Sequence, residues 1–286
     1  MHRLILGCGY LGRRVAAAWA ACGDDVSAVT RSPENAEALA AMGLTPIVAD
    51  VTRAPTLQKL PEADTVLHAV GFDRKAEPSK RDVYVQGLHN VLTAVEGRCR
   101  QLIHISSTGV YGQHNGEEIT EESPAEADHD SGLICRDAER LARNFSESTA
   151  TSTTVLRLSG IYGPGRLLSR IEAIHAGLKL PGPADAWLNL IHVDDAVDAV
   201  LKTAGSSEAD PLYVVSDNQP VRRAEYYGIL AELLEAPPPK FDPTAVARHT
   251  RGIGKRCRNQ LIKDRLGLSL QFPSIQTGLP QALAAT

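Results

Sequence analysis

Six residues near the start of the chain, Gly7-Cys8-Gly9-Tyr10-Leu11-Gly12, carry the G-x-G-x-x-G spacing. A short apolar run, Leu4–Leu6, precedes them, and the helical composition of Val15–Ala21 follows. In that setting each glycine has a task. Gly7 permits a tight turn, Gly9 lets the backbone approach a pyrophosphate, and Gly12 lets the helix pack closely on the strand. The helix N-terminus around Tyr10 and Leu11 then offers free N–H groups and a partial positive charge to phosphate. The chemistry implied is dinucleotide binding, with a purely structural glycine turn as the plain alternative. An NAD-type site places an acid at the end of the second strand, about 20 residues on, to hold both ribose hydroxyls. Eighteen residues beyond Gly12 (30 − 12) stands Thr30, followed by Arg31 and Ser32. A guanidinium there suits a 2′-phosphate and stacks on adenine. NADP(H) is therefore expected ahead of NAD(H), the alternative being that Arg31 is a solvated loop residue. Asp50, next to Val51, ends a third strand-like run, where it is placed to accept from the adenine amino group or simply to make a turn.

The elements that must position these residues alternate along the first half. Leu4–Leu6, Asp25–Thr30, Leu44–Ala49, Thr65–Val70 and Leu102–Ser106 read as strands. Helical patterns at 15–21, 34–41 and about 81–95 separate most of them. Strands joined through helices require right-handed crossovers and a parallel sheet covered on both faces. Further on, 131–148 reads as a helix, Thr153–Leu158 as a sixth strand, and Gly160–Arg166 as a glycine- and proline-marked loop. Helices at 193–203 and 223–235 flank a strand at Leu212–Val215.

Composition narrows the partners. A net charge of −4 and a pI near 6.1 give no general attraction to nucleic acid or to anionic membranes. No apolar run approaches the length of a membrane span. The five cysteines are scattered without CxxC pairs or Cys/His clusters at zinc spacing, so neither a disulfide framework nor a metal site is expected. A reducing cytoplasm fits that usage. His68 and His104 lie inside apolar strands and are expected in the core. The acidic run 117–122 is expected as a solvated loop, the alternative being the border of a substrate entrance, and the basic cluster Lys255-Arg256-Cys257-Arg258 as a solvated face, the alternative being contact with an anionic substrate.

An ordered set of motifs runs through the chain. The glycine loop is followed by Ala49-Asp50-Val51, Thr65–Gly71 (TVLHAVG), Ile105–Gly112 (ISSTGVYG), Leu156–Gly165 (LRLSGIYGPG) and Ile191–Asp195 (IHVDD). With them the sequence resembles the extended short-chain dehydrogenase/reductases of the NAD-dependent epimerase/dehydratase type. The resemblance implies a doubly wound α/β fold: a Rossmann domain over residues 1–165 and a smaller C-terminal substrate domain over 166–286, with about 187–205 packing back on the Rossmann core. It places Ala69, Val70 and Gly71 beside the cofactor, and implies a small carbonyl, alcohol or nucleotide-sugar-like substrate. A homodimer through the helices at 81–95 and 131–148 also follows from it.

The catalytic motifs match in part. Ser107, four residues before Tyr111, matches the family's Ser or Thr. The YxxxK motif does not match. Aligning Arg136-Asp137-Ala138-Glu139 with the usual Lys-x-x-Glu puts Gly132 at the tyrosine and Arg136 at the lysine. Gly132 cannot donate or accept a proton, although it leaves space for a substrate group or a water. Arg136 can bind ribose hydroxyls but cannot lose a proton. Ser107, Tyr111 and Arg136 are the remaining catalytic candidates. Tyr162, like Tyr111, ends a strand-like run, Cys135 stands beside a guanidinium that favours a thiolate, and His192 and Asp194-Asp195 lead into a helix; for each of these a structural role is expected ahead of a catalytic one. Two functions stay open: an oxidoreductase or epimerase with a rearranged acid/base, and a catalytically inactive protein that binds or senses NAD(P)(H).

Overall fold

The computed structural model describes residues 1–73, 77–166, 170–245 and 254–284. In chain order the elements begin β1 (His2–Leu6), α1 (Tyr10–Ala21), β2 (Asp25–Thr30), α2 (Pro33–Ala41), β3 (Thr45–Val48), β4 (Ala63–His68), α3 (Gly87–Val95) and β5 (Cys99–Ser107). They continue through β6 (Glu118–Ile119), α4 (Asp130–Ser148), β7 (Ser152–Leu158), β8 (Gly160–Tyr162), α5 (Ile171–His175), β9 (Lys179–Pro181), β10 (Trp187–Leu188), β11 (Leu190–His192) and α6 (Val193–Gly205). The last are β12 (Leu212–Val215), β13 (Val221–Arg222), α7 (Arg223–Leu233), β14 (Lys240–Asp242), β15 (Arg256–Cys257), α8 (Gln260–Leu266) and α9 (Ile275–Ala284).

Seven strands form one sheet in the order β3-β2-β1-β4-β5-β7-β12. β1 pairs in parallel with β2 and β4, β2 with β3, and β4 with β5. This is a doubly wound α/β sheet of the Rossmann type. The order reverses direction between β1 and β4, and such a switch point opens a crevice beyond the carboxyl ends of the strands. Burial explains the near-continuous apolar strands: Leu4, Ile5, Leu6, Val66, Leu67, Leu102 and Ile103 are inaccessible to solvent. The chain divides into two compact units. One comprises Met1–Ser107, Leu133–Arg157 and Val197–Tyr213; the other comprises Thr108–Gly132, Leu158–Ala196 and Val214–Thr286. A single cut after residue 165 bounds neither unit, since the chain passes between them several times.

Within the first unit, polar groups fasten helix to sheet. Glu139 on α4 is buried and accepts from Arg157 Nε and Nη2 on β7, the latter at 2.6 Å. Ser106 Oγ on β5 donates to the same carboxylate at 2.5 Å. Breaking such a pair strands a charge, at a cost of about 3–5 kcal/mol. His68 and His104, on paired strands, are buried with their Nδ1 atoms 3.1 Å apart. Burial and the neighbouring ring push His68 well down; burial pushes His104 down to about 4.

The second unit is built from short strand pairs that the sequence does not announce. Gly160–Tyr162, expected as part of a loop, is the strand β8 and pairs in parallel with β11. Glu117, Glu118, Glu122 and Arg258 are exposed, as expected of the acidic run and the basic cluster, and the two segments meet each other. β6 pairs with β15, and Glu118 lies 2.8 Å from Arg258 Nε and 3.7 Å from Arg256. Lys255 is 1% exposed and donates from Nζ to the Tyr111 carbonyl at 3.0 Å. Hydrophobicity alone would place a lysine outside; here a backbone acceptor satisfies the ammonium inside.

Candidate functional site

The crevice between β1 and β4 is formed by backbone. Gly7 adopts φ +94°, a left-handed conformation that favours glycine. A Cβ there would collide with the Ala69 carbonyl oxygen and stand 2.5 Å from Val70 N, so the turn after β1 and the end of β4 touch. The Ala69 N–H donates to the Leu6 carbonyl at 2.8 Å, which fixes that approach. A Cβ on Gly12 would run into the Gly7 carbonyl, so the first turn of α1 packs directly on the loop. Gly9 differs from both, because a Cβ placed there meets nothing within 4 Å. Gly9 is also the N-cap of α1, without a side-chain cap, and the first turn of the helix holds no acid. The leading N–H groups of a helix lack intrahelical acceptors, and an anion at a helix N-terminus binds through them. These residues fit the pyrophosphate of a dinucleotide.

The flanking residues differ in exposure and in the partners they already hold. Tyr10 begins α1 with its ring 4.2 Å from the Arg14 guanidinium, while Leu11 is buried beneath the loop. Thr30 ends β2. The Arg31 side chain is 51% exposed and lies 3.8 Å from Asp73, itself half exposed. Ser32 caps α2, accepting from the Asn35 N–H at 3.2 Å. Asp50 Oδ1 accepts from both the N–H and the hydroxyl of Thr52. The Val51 carbonyl accepts from Asn90 Nδ2 at 2.9 Å. Around Gly71 a Cβ would meet nothing within 4 Å.

The profile of the NAD-dependent epimerase/dehydratase family matches residues 4–215. The chain belongs to that family. Protein YeeZ of Escherichia coli K12 is 26% identical over 94% of this chain and 95% of its own length. The 3-diazoavenalumate denitrifying reductase of a Streptomyces species is 26% identical, covering 98% of this chain and 99% of that protein. The solved structure of a candidate NAD-dependent epimerase/dehydratase from Methylobacillus flagellatus superposes with a TM-score of 0.79 at 31% identity, covering 99% of this chain and 98% of the other.

Ser107, Gly132 and Arg136 are the residues that the sequence aligns with the family's catalytic motifs. Ser107 is the last residue of β5, half-buried at the carboxyl end of the sheet. Arg136 is exposed on α4. Gly132 leaves no space for a substrate group or a water, contrary to the reading from sequence. A Cβ there would collide with the Gly109 carbonyl oxygen, stand 2.5 Å from Ala127 Cβ and 3.1 Å from His129 Cε1. The Gly132 N–H also donates to His129 Nδ1 at 3.0 Å. The loop backbone itself fills the place a side chain would need, which explains the glycine.

The other candidates are held in structure. Tyr111 is fully buried and donates to the Thr120 carbonyl at 2.9 Å. Tyr162 is buried, with its hydroxyl toward the Ser274 carbonyl at 3.4 Å; burial and the nearby Asp217 and Asp195 push it above the ordinary phenol range. Cys135 is not activated by Arg136. Burial pushes its thiol up, and the nearest ammonium, Lys80 Nζ at 4.0 Å, offsets that only in part. Asp195 opens α6 and accepts from the N–H groups of Gln271 and Phe272, at 2.6 and 3.0 Å. His192 packs against Phe272 and bonds Gln281 at 2.8 Å. Sequence reasoning passed over Lys80 and Tyr84, whose ammonium and ring lie 4.8 Å apart. Their four-residue spacing was the available signal.

Proposed function

We propose that this protein is an NADP(H)-preferring oxidoreductase acting on a small carbonyl or alcohol. The observation that carries the reading is the open cradle at Gly9, before an uncapped helix N-terminus at the switch point of the sheet. Gly7, Gly9 and the first turn of α1 would hold the pyrophosphate, and Gly71 leaves room beside it. Arg31, exposed and only loosely engaged, would meet the 2′-phosphate; no acid stands at Thr30 to compete for a ribose hydroxyl. The dinucleotide supplies two-electron transfer at its nicotinamide. Ser107, at the carboxyl end of β5, would donate a hydrogen bond to the reacting oxygen. The full-length similarity to a reductase supports this direction.

A second reading, a protein that binds the dinucleotide without turning it over, is favoured by the closed position at Gly132. Two measurements separate them. Calorimetry with NADPH should show binding that Gly9→Val loses by at least about 100-fold, nearly 3 kcal/mol; equal affinities in the two proteins would contradict the site. Consumption of bound NADPH on adding methylglyoxal, a small dicarbonyl, supports the oxidoreductase. Binding without consumption across a wider panel of carbonyl compounds supports the sensor.

A further inference from the structure

With the family's tyrosine position closed by Gly109, the proton needed by a carbonyl reduction must come from elsewhere. The segment before α3 holds a candidate. It begins with a reciprocal cap: the Ser79 N–H donates to Asp82 Oδ2 at 2.9 Å, and the Asp82 N–H donates to Ser79 Oγ at 3.1 Å. Asp82–Gln86 then forms a π-helical turn, a feature that often marks functional positions. Arg81 ties the segment to α4 through Asp137 at 2.8 Å. Between these clamps, Lys80 Nζ lies over the Tyr84 ring at 4.8 Å and 4.0 Å from Cys135 Sγ, next to Arg136. Tyr84 is half-buried and packs against the same buried apolar cluster as Val70 and Phe72 do. Those two residues follow β4 at its carboxyl end, where the chain touches the Gly7 turn.

We infer that Tyr84, supported by Lys80, is the proton donor of this protein, presented from the segment before α3 instead of from α4. The inference rests on the oxidoreductase reading above. In the reduction, the nicotinamide supplies one hydrogen with its electron pair to the carbonyl carbon. The C=O π pair moves to oxygen, which takes the proton of Tyr84 Oη. The phenolate left behind regains a proton from solvent water. A fixed ammonium over the ring stabilises the negative charge while it exists, without itself changing protonation.

The location is tested by acetylating tyrosine hydroxyls with N-acetylimidazole and mapping the modified peptides. NADP⁺ at about ten times its dissociation constant should protect Tyr84 about tenfold. 2′-Phospho-ADP-ribose, which lacks the nicotinamide, should leave Tyr84 labelled as in the free protein. The proton role is tested with Tyr84→Phe. It should keep NADPH affinity by calorimetry, yet consume NADPH with methylglyoxal at least about 100-fold more slowly; Lys80→Met should show a smaller loss. Full labelling of Tyr84 under saturating NADP⁺, or an unchanged rate in Tyr84→Phe, overturns the assignment. A protein that binds NADPH and consumes none fails the oxidoreductase reading, and with it the proton role, while the footprint still decides where Tyr84 lies.

Discussion

Gly9 and Gly132 stand at the starts of two helices, and the space around them is opposite. A methyl group at Gly9 would touch nothing within 4 Å, whereas at Gly132 it would strike a backbone carbonyl and two side chains. One glycine stands beside open space, and the other is consumed by the packing of its own chain. Glycine in a motif therefore says only that a side chain is excluded. What excludes it, a ligand or the protein, is a tertiary fact.

The largest effect that could break this contrast is at position 132. Gly132→Tyr, with or without Arg136→Lys, should fail to fold, because no rotamer removes the collision at Cβ itself. Even a modest overpacking costs about 1–3 kcal/mol, and a ring exceeds that. A cooperative melt close to that of the unmodified protein would show that the loop at Gly109 yields easily, and the contrast would then be one of degree.

Position 31 sharpens the account of the open side. Removing the guanidinium in Arg31→Ala should weaken NADPH binding about tenfold, the low end for a charged hydrogen bond at an exposed site. NADH binding should barely change. Tighter binding of NADH than of NADPH by the unmodified protein would contradict the preference.

The smallest effect near neutral pH concerns the closed interior beside the crevice. His68 and His104 are held neutral by burial, so the unfolded chain takes up their protons first as pH falls below about 6.5. Stability is complete above that pH and falls from there toward about 4, with a slope approaching about 1.4 kcal/mol per pH unit for each histidine. In the His68→Leu/His104→Leu protein the acid limb of a urea-melt series should be flatter. An unchanged limb would show that other groups control it.

Much of the first unit was legible in the sequence because its information is local. The strand runs 2–6, 25–30, 63–68 and 99–107 are apolar and bounded by breakers, and the glycine loop carries its own geometry. The second unit was less legible because its pairings are long-range. β6 and β15 are two residues each and meet across 138 positions (256 − 118). Nothing near Lys255 announces that Tyr111 will supply its acceptor, and nothing near Gly132 announces the Gly109 carbonyl. The Lys80–Tyr84 pair was present in the sequence but lay outside the motif that directs attention to a tyrosine. Glu139, read as part of an aligned tetrapeptide, is the buried partner of Arg157, a role fixed only when α4 meets β7.

The most direct test of the contrast places the same smallest side chain at both positions. Gly9→Ala and Gly132→Ala are each measured twice, by thermal melting and by NADPH calorimetry. Gly9→Ala should melt with the unmodified protein while its NADPH affinity falls. Gly132→Ala should melt several degrees lower, as a loss of about 1–3 kcal/mol implies, while the protein that remains folded binds NADPH normally. The reverse pattern, a destabilised Gly9→Ala with full affinity and a stable Gly132→Ala, would contradict the assignment of open and closed glycines.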